Sequence, residues 1–234
     1  MKVYWTTLVE PEIQTLTLGI QPPRRVIKSI EGKIKNSIYT RCGAFTEHSK
    51  NQFVITSPLE YILNIYPEEQ RWESPDNRHI ENWMILHELE HSSMQLKTGI
   101  VMFSEESVNM STIQPYLHHT DLTAAGNVLY GKYDISKWIR PLNTALYLKP
   151  QDQYTFKITQ NTPLMYVQFD TAEKVELEYI SPTDEIDQTI KQCVTLKETR
   201  KRVFSLKECY KQFEAHRMRR RLMNEVKKQE RYNK

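Results

Sequence analysis

The amino-acid sequence predicts a mainly β protein, an antiparallel β-sandwich or jelly-roll (cupin-like) body with a C-terminal helical extension. Short segments rich in β-branched and aromatic residues recur about every ten residues over most of the chain, a rhythm typical of sandwiches and barrels. After Ser181 and Pro182 the apolar residues take up helical spacing instead. We therefore predict a β body over residues 1–180 and C-terminal helices with a basic tail over residues 181–234.

The strands of the predicted body follow one another with short turns between them. Ser57 and Pro58, for example, form a turn signal between two strand-like segments. In residues 10–50 the apolar residues recur at neither the helical nor the strand period, so this stretch is predicted to be mostly loop with short strands. The pattern of residues 78–91 fits either a helix or an extended chain. The predicted strands are residues 2–9, 52–56, 59–66, 94–97, 100–103, 108–114, 128–133, 145–149, 155–159, 164–169 and 174–180.

Two helices are predicted after the body. In the first, Ile186, Ile190 and Cys193 recur at helical spacing. The second begins with Ser205 and Glu208 in the pattern of a capping box, in which both side chains accept hydrogen bonds from backbone N–H groups at the start of the helix. Its apolar spacing continues to about residue 230, so we expect one uninterrupted helix there.

The charge of the chain is divided between its two parts. Residues 195–234 contain 14 of the 32 Lys and Arg residues but only 5 of the 29 Asp and Glu residues, so this tail carries a net charge of +9 and the remainder −6. Such a run of charge is most often a solvated face. It can also dock on an acidic protein face or bind nucleic acid, although no nucleic-acid-binding fingerprint accompanies it. Arg217, Arg220 and Arg221 are expected to share one helical face, because they are spaced i, i+3 and i+4. The predicted partner-binding residues of the tail are Arg217, Arg219, Arg220, Arg221, Lys227 and Lys228.

Several other classes of protein do not fit the sequence. No apolar run approaches the roughly 18 residues of a membrane span, and the first residues do not resemble a signal peptide. No glycine-rich phosphate loop is present, and we predict no cofactor. Cys42, Cys193 and Cys209 are odd in number and widely spaced, which argues against a disulfide framework and indicates a reducing compartment.

Several blocks of the sequence resemble a group of tailed-bacteriophage proteins without an established activity, especially those of marine T-even-like myophages. The blocks are RCGAF (41–45), NQFVITSP (51–58), VMFSEESVNM (101–110), PYL (115–117), GKYDISKWIRPL (131–142) and MYVQFDT (165–171), and the similarity spans about residues 39–228. The resemblance implies a phage-encoded protein made in the host bacterial cytoplasm, where it stays or from which it enters the virion. It also implies a jelly-roll or cupin-like body, and it supplies no catalytic residues.

One short motif has the pattern of a zinc protease. His87, Glu88 and His91 match H-E-x-x-H, in which two histidines on one helix face hold Zn²⁺ and the glutamate activates water. The extended form of the motif needs Gly and His where Met94 and Lys97 stand, and the residues that follow have the pattern of strands. We therefore favour a partly exposed polar segment over a metal site.

A second motif has the pattern of an iron oxygenase. His119 and Asp121 form an H-x-D, two thirds of the facial triad that binds Fe(II) in jelly-roll oxygenases. The third ligand should come from a late strand, but the only later histidine is His216, in the basic tail. The triad is therefore incomplete, and a histidine-rich loop between strands is the favoured interpretation. We predict no metal site, with His87, His91, His119 and Asp121 as the residues that would hold a metal if one is bound.

Asp134, Trp138 and Arg140 are the predicted partner-binding residues of the body. A charged residue beside a large aromatic is a common interface anchor, and the guanidinium of Arg140 suits a carboxylate or a phosphate. The favoured alternative is a structural corner, in which Asp134 caps a turn, Trp138 fills the core and Arg140 pairs with Asp134. Both interpretations rest on the same residues.

Together these patterns predict a non-catalytic phage interaction or structural protein whose basic C-terminal helix engages a protein or nucleic-acid partner. No complete catalytic constellation occurs in the sequence, and the charge division places the positive surface in the tail. The alternative is a metal-dependent jelly-roll enzyme resembling Fe(II) oxygenases, with His119 and Asp121 as ligands. No membrane partner is expected.

Overall fold

The computed structural model describes residues 1–8, 19–30, 41–69, 71–75, 84–87, 93–198 and 205–232. These residues form a mainly β protein with several antiparallel sheets and a C-terminal helical region, which confirms the fold class at that level. None of the helices in these ranges is long and apolar enough to cross a membrane.

The secondary structure comprises the following strands and helices. The strands are β1 (Lys2–Thr7), β2 (Arg24–Arg25), β3 (Gln52–Thr56), β4 (Tyr61–Tyr66), β5 (Arg71–Glu73), β6 (Met84–His87), β7 (Ser93–Phe103), β8 (Asn109–Ile113), β9 (Gly126–Val128), β10 (Gly131–Asp134), β11 (Pro141–Leu148), β12 (Tyr154–Ile158), β13 (Pro163–Phe169) and β14 (Glu176–Tyr179). The helices are α1 (Val26–Ile30), α2 (Gly43–Ser49), α3 (Asp121–Ala125), α4 (Asp184–Glu198), α5 (Leu206–Ala215) and α6 (Met218–Tyr232).

The strands form three sheets. The largest has the order β14-β1-β7-β11-β9, with β6 paired to the first part of β7. The second has the order β10-β8-β13-β3-β2, and the third the order β12-β4-β5. Neighbouring strands are antiparallel except for β1 and β14, which are parallel. All three sheets contribute buried side chains to one large hydrophobic core.

Strand β7 corrects one prediction, because residues 94–97 and 100–103 belong to a single strand of 11 residues. Gly99 lies within it at a φ of 70°, a conformation that side chains with a Cβ rarely adopt. The pairing with β11 shifts register opposite this point, between Pro141 and Asn143. The glycine thus produces an irregularity that bends the strand without ending it.

Two further stretches differ from their predictions. Residues 10–50, expected to be mostly loop with short strands, contain the short helices α1 and α2 as well as β2. Val26 and Ile30 of α1 are buried, so tertiary contacts stabilise a helix that its local pattern does not indicate. Residues 128–133, expected to be one strand, are divided between β9 and β10, with exposed Leu129 and Tyr130 between them.

The C-terminal helices begin as expected but are interrupted once. The predicted capping box is present, since Ser205 Oγ accepts a hydrogen bond from the Glu208 N–H and the Glu208 carboxylate accepts one from the Ser205 N–H. The single helix expected to continue to about residue 230 is broken after Ala215, where Arg217 has a φ of 52°. Two helices, α5 and α6, therefore replace one.

The helices share the core of the sheets. Side chains from each of the three helices, including Ile190, Phe213 and Leu222, belong to the same cluster of buried residues as the strands. Helices α4 and α6 run antiparallel, because Ser181, before α4, contacts Gln229 near the end of α6, whereas Cys193 Sγ, late in α4, lies 3.3 Å from Met218 Sδ at the start of α6. The basic helix is thus held on the β body by apolar contacts.

Candidate functional site

Asp134, at the end of β10, is a buried structural residue. Its carboxylate accepts hydrogen bonds from Ser107 Oγ at 2.5 Å and from the N–H and Oγ of Ser136 at 2.9 and 2.7 Å, and it forms an ion pair of 2.8 Å with Lys137. Burial alone would raise the pKa of Asp134, but the hydrogen bonds from Lys137, Ser107 and Ser136 outweigh burial and hold the pKa below its usual range. The Asp134 N–H donates to Tyr210 Oη at 2.8 Å, which joins this corner to α5.

The two other predicted partner-binding residues of the body lie in different environments. Trp138 is 4 % exposed and packs in the core. Arg140 is exposed, but its guanidinium lies over the ring of Tyr133 at 5.4 Å from the ring centre instead of pairing with Asp134. The positions of Asp134 and Trp138 thus match the structural-corner interpretation. Arg140 does not pair with Asp134 and is the one residue of the three that faces solvent.

The H-x-D motif lines a cleft of about 450 Å³. The Asp121 carboxylate accepts a hydrogen bond from the Lys157 N–H at 3.0 Å, and exposed His119 precedes Thr120, the N-cap of α3. His118 is buried, and its Nδ1 contacts Tyr166 Oη. The cleft is lined by a single stretch of chain, residues 114–124, and no set of three metal-binding side chains occurs in the described ranges.

The H-E-x-x-H motif is described only at its first residue. His87 is the last residue of β6 and is paired with Ser93 of β7, so the backbone is extended at this position. Glu88 and His91 lie outside the described residues. The extended backbone at His87 does not match the helix on which this zinc motif places its first histidine.

Helix α6 is fixed to the molecule along its apolar side. Met218, Leu222 and Val226 recur every fourth residue, and each is at most 2 % exposed within the shared core. Near the other end of the helix, Gln229 exchanges two hydrogen bonds with the backbone of Ser181, at 2.8 and 2.9 Å. These contacts orient the opposite side of α6 toward solvent.

The solvent side of α6 carries a row of polar and basic side chains, which we call the basic row: Arg220, Asn224, Lys227 and Arg231. Their spacing of four, three and four residues keeps them on one face of the helix. All four side chains are exposed. In the part of the chain that the structure describes, the three cations of the row form no ion pair with a carboxylate.

Only two of the six predicted tail residues, Arg220 and Lys227, belong to the basic row. Arg221 is directed toward α4, where its guanidinium binds Glu185 and donates to Gln192 Oε1 at 2.7 Å. Lys228 forms an ion pair with Glu225 at 2.5 Å, and this hydrogen bond and charge raise the pKa of the lysine. The positive charges of Arg221 and Lys228 are thus largely balanced within the molecule.

The other two predicted residues, Arg217 and Arg219, are exposed but lie off the row. Arg217 precedes α6 in the left-handed conformation, which removes it from the shared helical face expected with Arg220 and Arg221. Arg219 lies about 100° around the helix from Arg220.

Sequence reasoning missed two members of the row, Asn224 and Arg231. The prediction followed the density of positive charge along the chain, and density does not distinguish the sides of a helix. The signal that identifies them is the i, i+4, i+7, i+11 spacing that begins at Arg220. Both could therefore have been found in the sequence.

A groove between α4 and α6 lies beside the basic row. Arg221 crosses the groove and contributes to a cleft on each side of it. The cleft next to the row has a volume of about 350 Å³ and is lined by Glu185, Arg221, Asn224, Glu225, Lys227, Lys228 and Arg231. The other, of about 600 Å³, is lined by Gln188, Lys191, Gln192, Thr195, His216, Met218 and Arg221. The row thus forms one rim of a concave surface.

No family model matches the chain, and no curated protein matches it. The resemblance to tailed-phage proteins therefore stays a prediction from the sequence.

Proposed function

We propose that this protein is a non-catalytic interaction protein that binds an anionic partner through the basic row of α6. The observation that carries the proposal is the presence of three exposed cations on one helix face with no carboxylate paired to them among the described residues. Unpaired cations on a common face create a positive potential that attracts anionic molecules. The acids of the neighbouring groove are occupied by Arg221 and Lys228.

The rigid attachment of α6 supports this role. Ordering a flexible basic tail on binding costs conformational entropy, whereas a helix that is already packed on a body loses little. The buried face of α6 and the contacts of Gln229 hold the row in place before any partner arrives. The β body then serves as a platform for a preformed binding surface.

We further propose the jelly-roll or cupin-like class for the body and a phage origin for the protein, acting in the host bacterial cytoplasm or the virion. The first is supported by two large, mostly antiparallel sheets that share one core. The second rests on the sequence blocks that resemble tailed-phage proteins.

Binding to immobilised heparin, a generic anionic chain, tests the proposed function. We expect salt-dependent retention of the wild-type protein and at least about tenfold weaker binding of the triple variant Arg220→Gln, Lys227→Gln, Arg231→Gln, because non-specific polyanion binding is almost entirely electrostatic. Circular dichroism should show the same folded content in both proteins.

A matched variant removes three positive charges elsewhere: Arg24→Gln, Lys157→Gln and Lys207→Gln. These side chains are exposed and form no ion pair within the described ranges. Loss of retention in this control equal to the loss in the row variant would show that net charge, and not the basic row, determines binding, and the proposal would fail.

A further inference from the structure

The chemistry of the basic row points to one class of anionic partner. We propose that the row binds the phosphate backbone of a polynucleotide; this inference rests on the proposed function and names the partner of the same site. Phosphates and protein carboxylates are both anions, so their charge alone does not decide between them. The composition of the row, its length and the aromatic side chain at the end of α6 favour phosphates.

The first argument is the composition of the row. Protein–protein interfaces have an apolar centre in which large side chains are buried, whereas nucleic-acid interfaces are more polar and more positively charged. The row of Arg220, Asn224, Lys227 and Arg231 contains no apolar side chain. Of the large exposed hydrophobic side chains in the described residues, Leu129, Tyr130 and Tyr147 lie on and beside strands β9 and β11, and Tyr232 lies on α6 outside the row. The row thus lacks what an acidic protein partner would need for stable docking.

The second argument is the length of the row. From Arg220 to Arg231 the row extends about 16 Å, at about 1.5 Å per residue. Measured along the axis of a duplex, each strand has one phosphate about every 3.4 Å, and because the strand winds around the axis, successive phosphates lie farther apart than that. The row is therefore longer than the separation of neighbouring phosphates, and its three cations can each contact a different phosphate of the same strand.

The third argument is the aromatic side chain at the end of α6. Tyr232 is 89 % exposed and follows Lys228 by one helical turn, so it lies on the side of the row that borders the groove. Exposed aromatic rings beside a basic surface are typical of single-strand binding, because every base has a face that stacks on a ring. The ring is placed where a base attached to the bound backbone would reach it.

The test measures the affinity of the full chain for three probes by fluorescence anisotropy. The probes are a single-stranded oligonucleotide of about 16 nucleotides, its duplex, and polyglutamate of equal charge. We expect the wild-type protein to bind either nucleic acid at least about tenfold more tightly than polyglutamate. The plot of log affinity against log salt for the single strand should have a slope of about −2, since each of three contacts contributes about −0.7.

Two variants locate the binding. The triple variant of Arg220, Lys227 and Arg231 should lose most of the salt-dependent slope, while the control variant of Arg24, Lys157 and Lys207 retains it. Replacement of Tyr232 by Ala should weaken binding of the single strand about fivefold or more and leave the duplex unchanged, because only unpaired bases stack on the ring. Equal single-strand affinity of this variant and the wild type would overturn the role of Tyr232.

Two outcomes separate the inference from the proposed function. Tighter binding of polyglutamate than of either nucleic acid, lost in the row variant, would overturn the polynucleotide assignment and leave an acidic protein as the partner. No binding of any probe, together with no retention on heparin, would overturn both.

Discussion

At the scale of single residues, Asp134 is a buried charged group that joins several segments of the body. Its carboxylate is buried and receives hydrogen bonds from two serines and a lysine. We expect Asp134→Asn to reduce the free energy of unfolding by about 2 kcal/mol at pH 7, because hydrogen bonds to a charged group contribute about 1.5–3 kcal/mol. Urea unfolding at pH 7 measures this difference.

The same substitution has a defined pH dependence. Because the pKa of Asp134 is lower in the folded than in the unfolded protein, its contribution is present above the unfolded value of about 3.9 and is lost as the pH falls through the folded value. The difference between wild type and Asp134→Asn should therefore shrink in acid. Asp170→Asn is the control, since its ion pair with Lys132 is exposed and should be worth less than about 1 kcal/mol. A difference that persists unchanged to pH 2 would contradict this account.

The H-x-D motif gives a second residue-scale prediction. His119 and Asp121 are exposed, and in the described ranges no third ligand joins them. We expect wild-type protein and His119→Ala, each incubated with Fe(II) and then with Zn(II) and desalted, to retain the same small amount of metal. Stoichiometric metal in the wild type that is lost in the variant would favour the oxygenase-like alternative.

At the scale of elements, the break between α5 and α6 depends on the conformation of Arg217. A left-handed conformation costs a residue with a Cβ about 1–2 kcal/mol, and β-branched residues tolerate it least. We expect Arg217→Gly to unfold at a temperature several degrees above that of Arg217→Val, although both remove the same charge. Thermal unfolding by circular dichroism measures the difference. Equal stabilities would show that the left-handed turn is not maintained in solution.

The two ends of helix α5 show what a sequence pattern can and cannot predict. Its start was predictable because a capping box is local chemistry between Ser205 and Glu208. Its end was not, because neither Gly nor Pro marks residues 215–218. The break instead accompanies the burial of Met218 against Cys193, a contact with another helix that no local pattern contains.

The strands likewise have some features that a local sequence pattern predicts and others that it does not. Pattern located most of them within a few residues, since β propensity and turn signals are local. The pattern could not reveal that Gly99 lies inside a continuous strand, because a glycine marks a bulge and a strand end alike. For the candidate site, charge density indicated the correct helix, and the spacing from Arg220 to Arg231 indicates the row, whose exposure follows from the burial of the opposite side of α6.

At the scale of the whole molecule, the boundary predicted at residue 180 separates a strand pattern from a helical pattern in the sequence, but the two parts of the chain share one core. Phe213, Met218, Leu222 and Val226 pack in one cluster with side chains of the sheets. Deletion of residues 203–234 would expose the surface that these side chains cover, and each fully buried side chain of this kind contributes about 1.5–3 kcal/mol. We therefore expect the truncated chain to lose cooperative unfolding.

Calorimetry of the truncated protein beside the triple variant of the basic row checks this expectation. The triple variant changes only exposed side chains and should retain a sharp transition close to that of the wild type. A truncated protein with an equally sharp transition would contradict this expectation and show that residues 1–202 fold without α5 and α6.

The position of β1 has a consequence for how the chain folds. Strand β1 lies between β7 and β14, and its residues Lys2 and Trp5 pair with Glu176 and Tyr179. Pairing of residues so distant along the chain has a large entropic cost of loop closure, and this cost makes folding slow. Strand β14 is the last of the described strands to be synthesised, so the edge of β1 that it covers has no partner there until β14 has emerged from the ribosome. That open edge is a template for pairing with other chains, so we expect folding yield to depend on temperature and on chaperones that shield nascent strands.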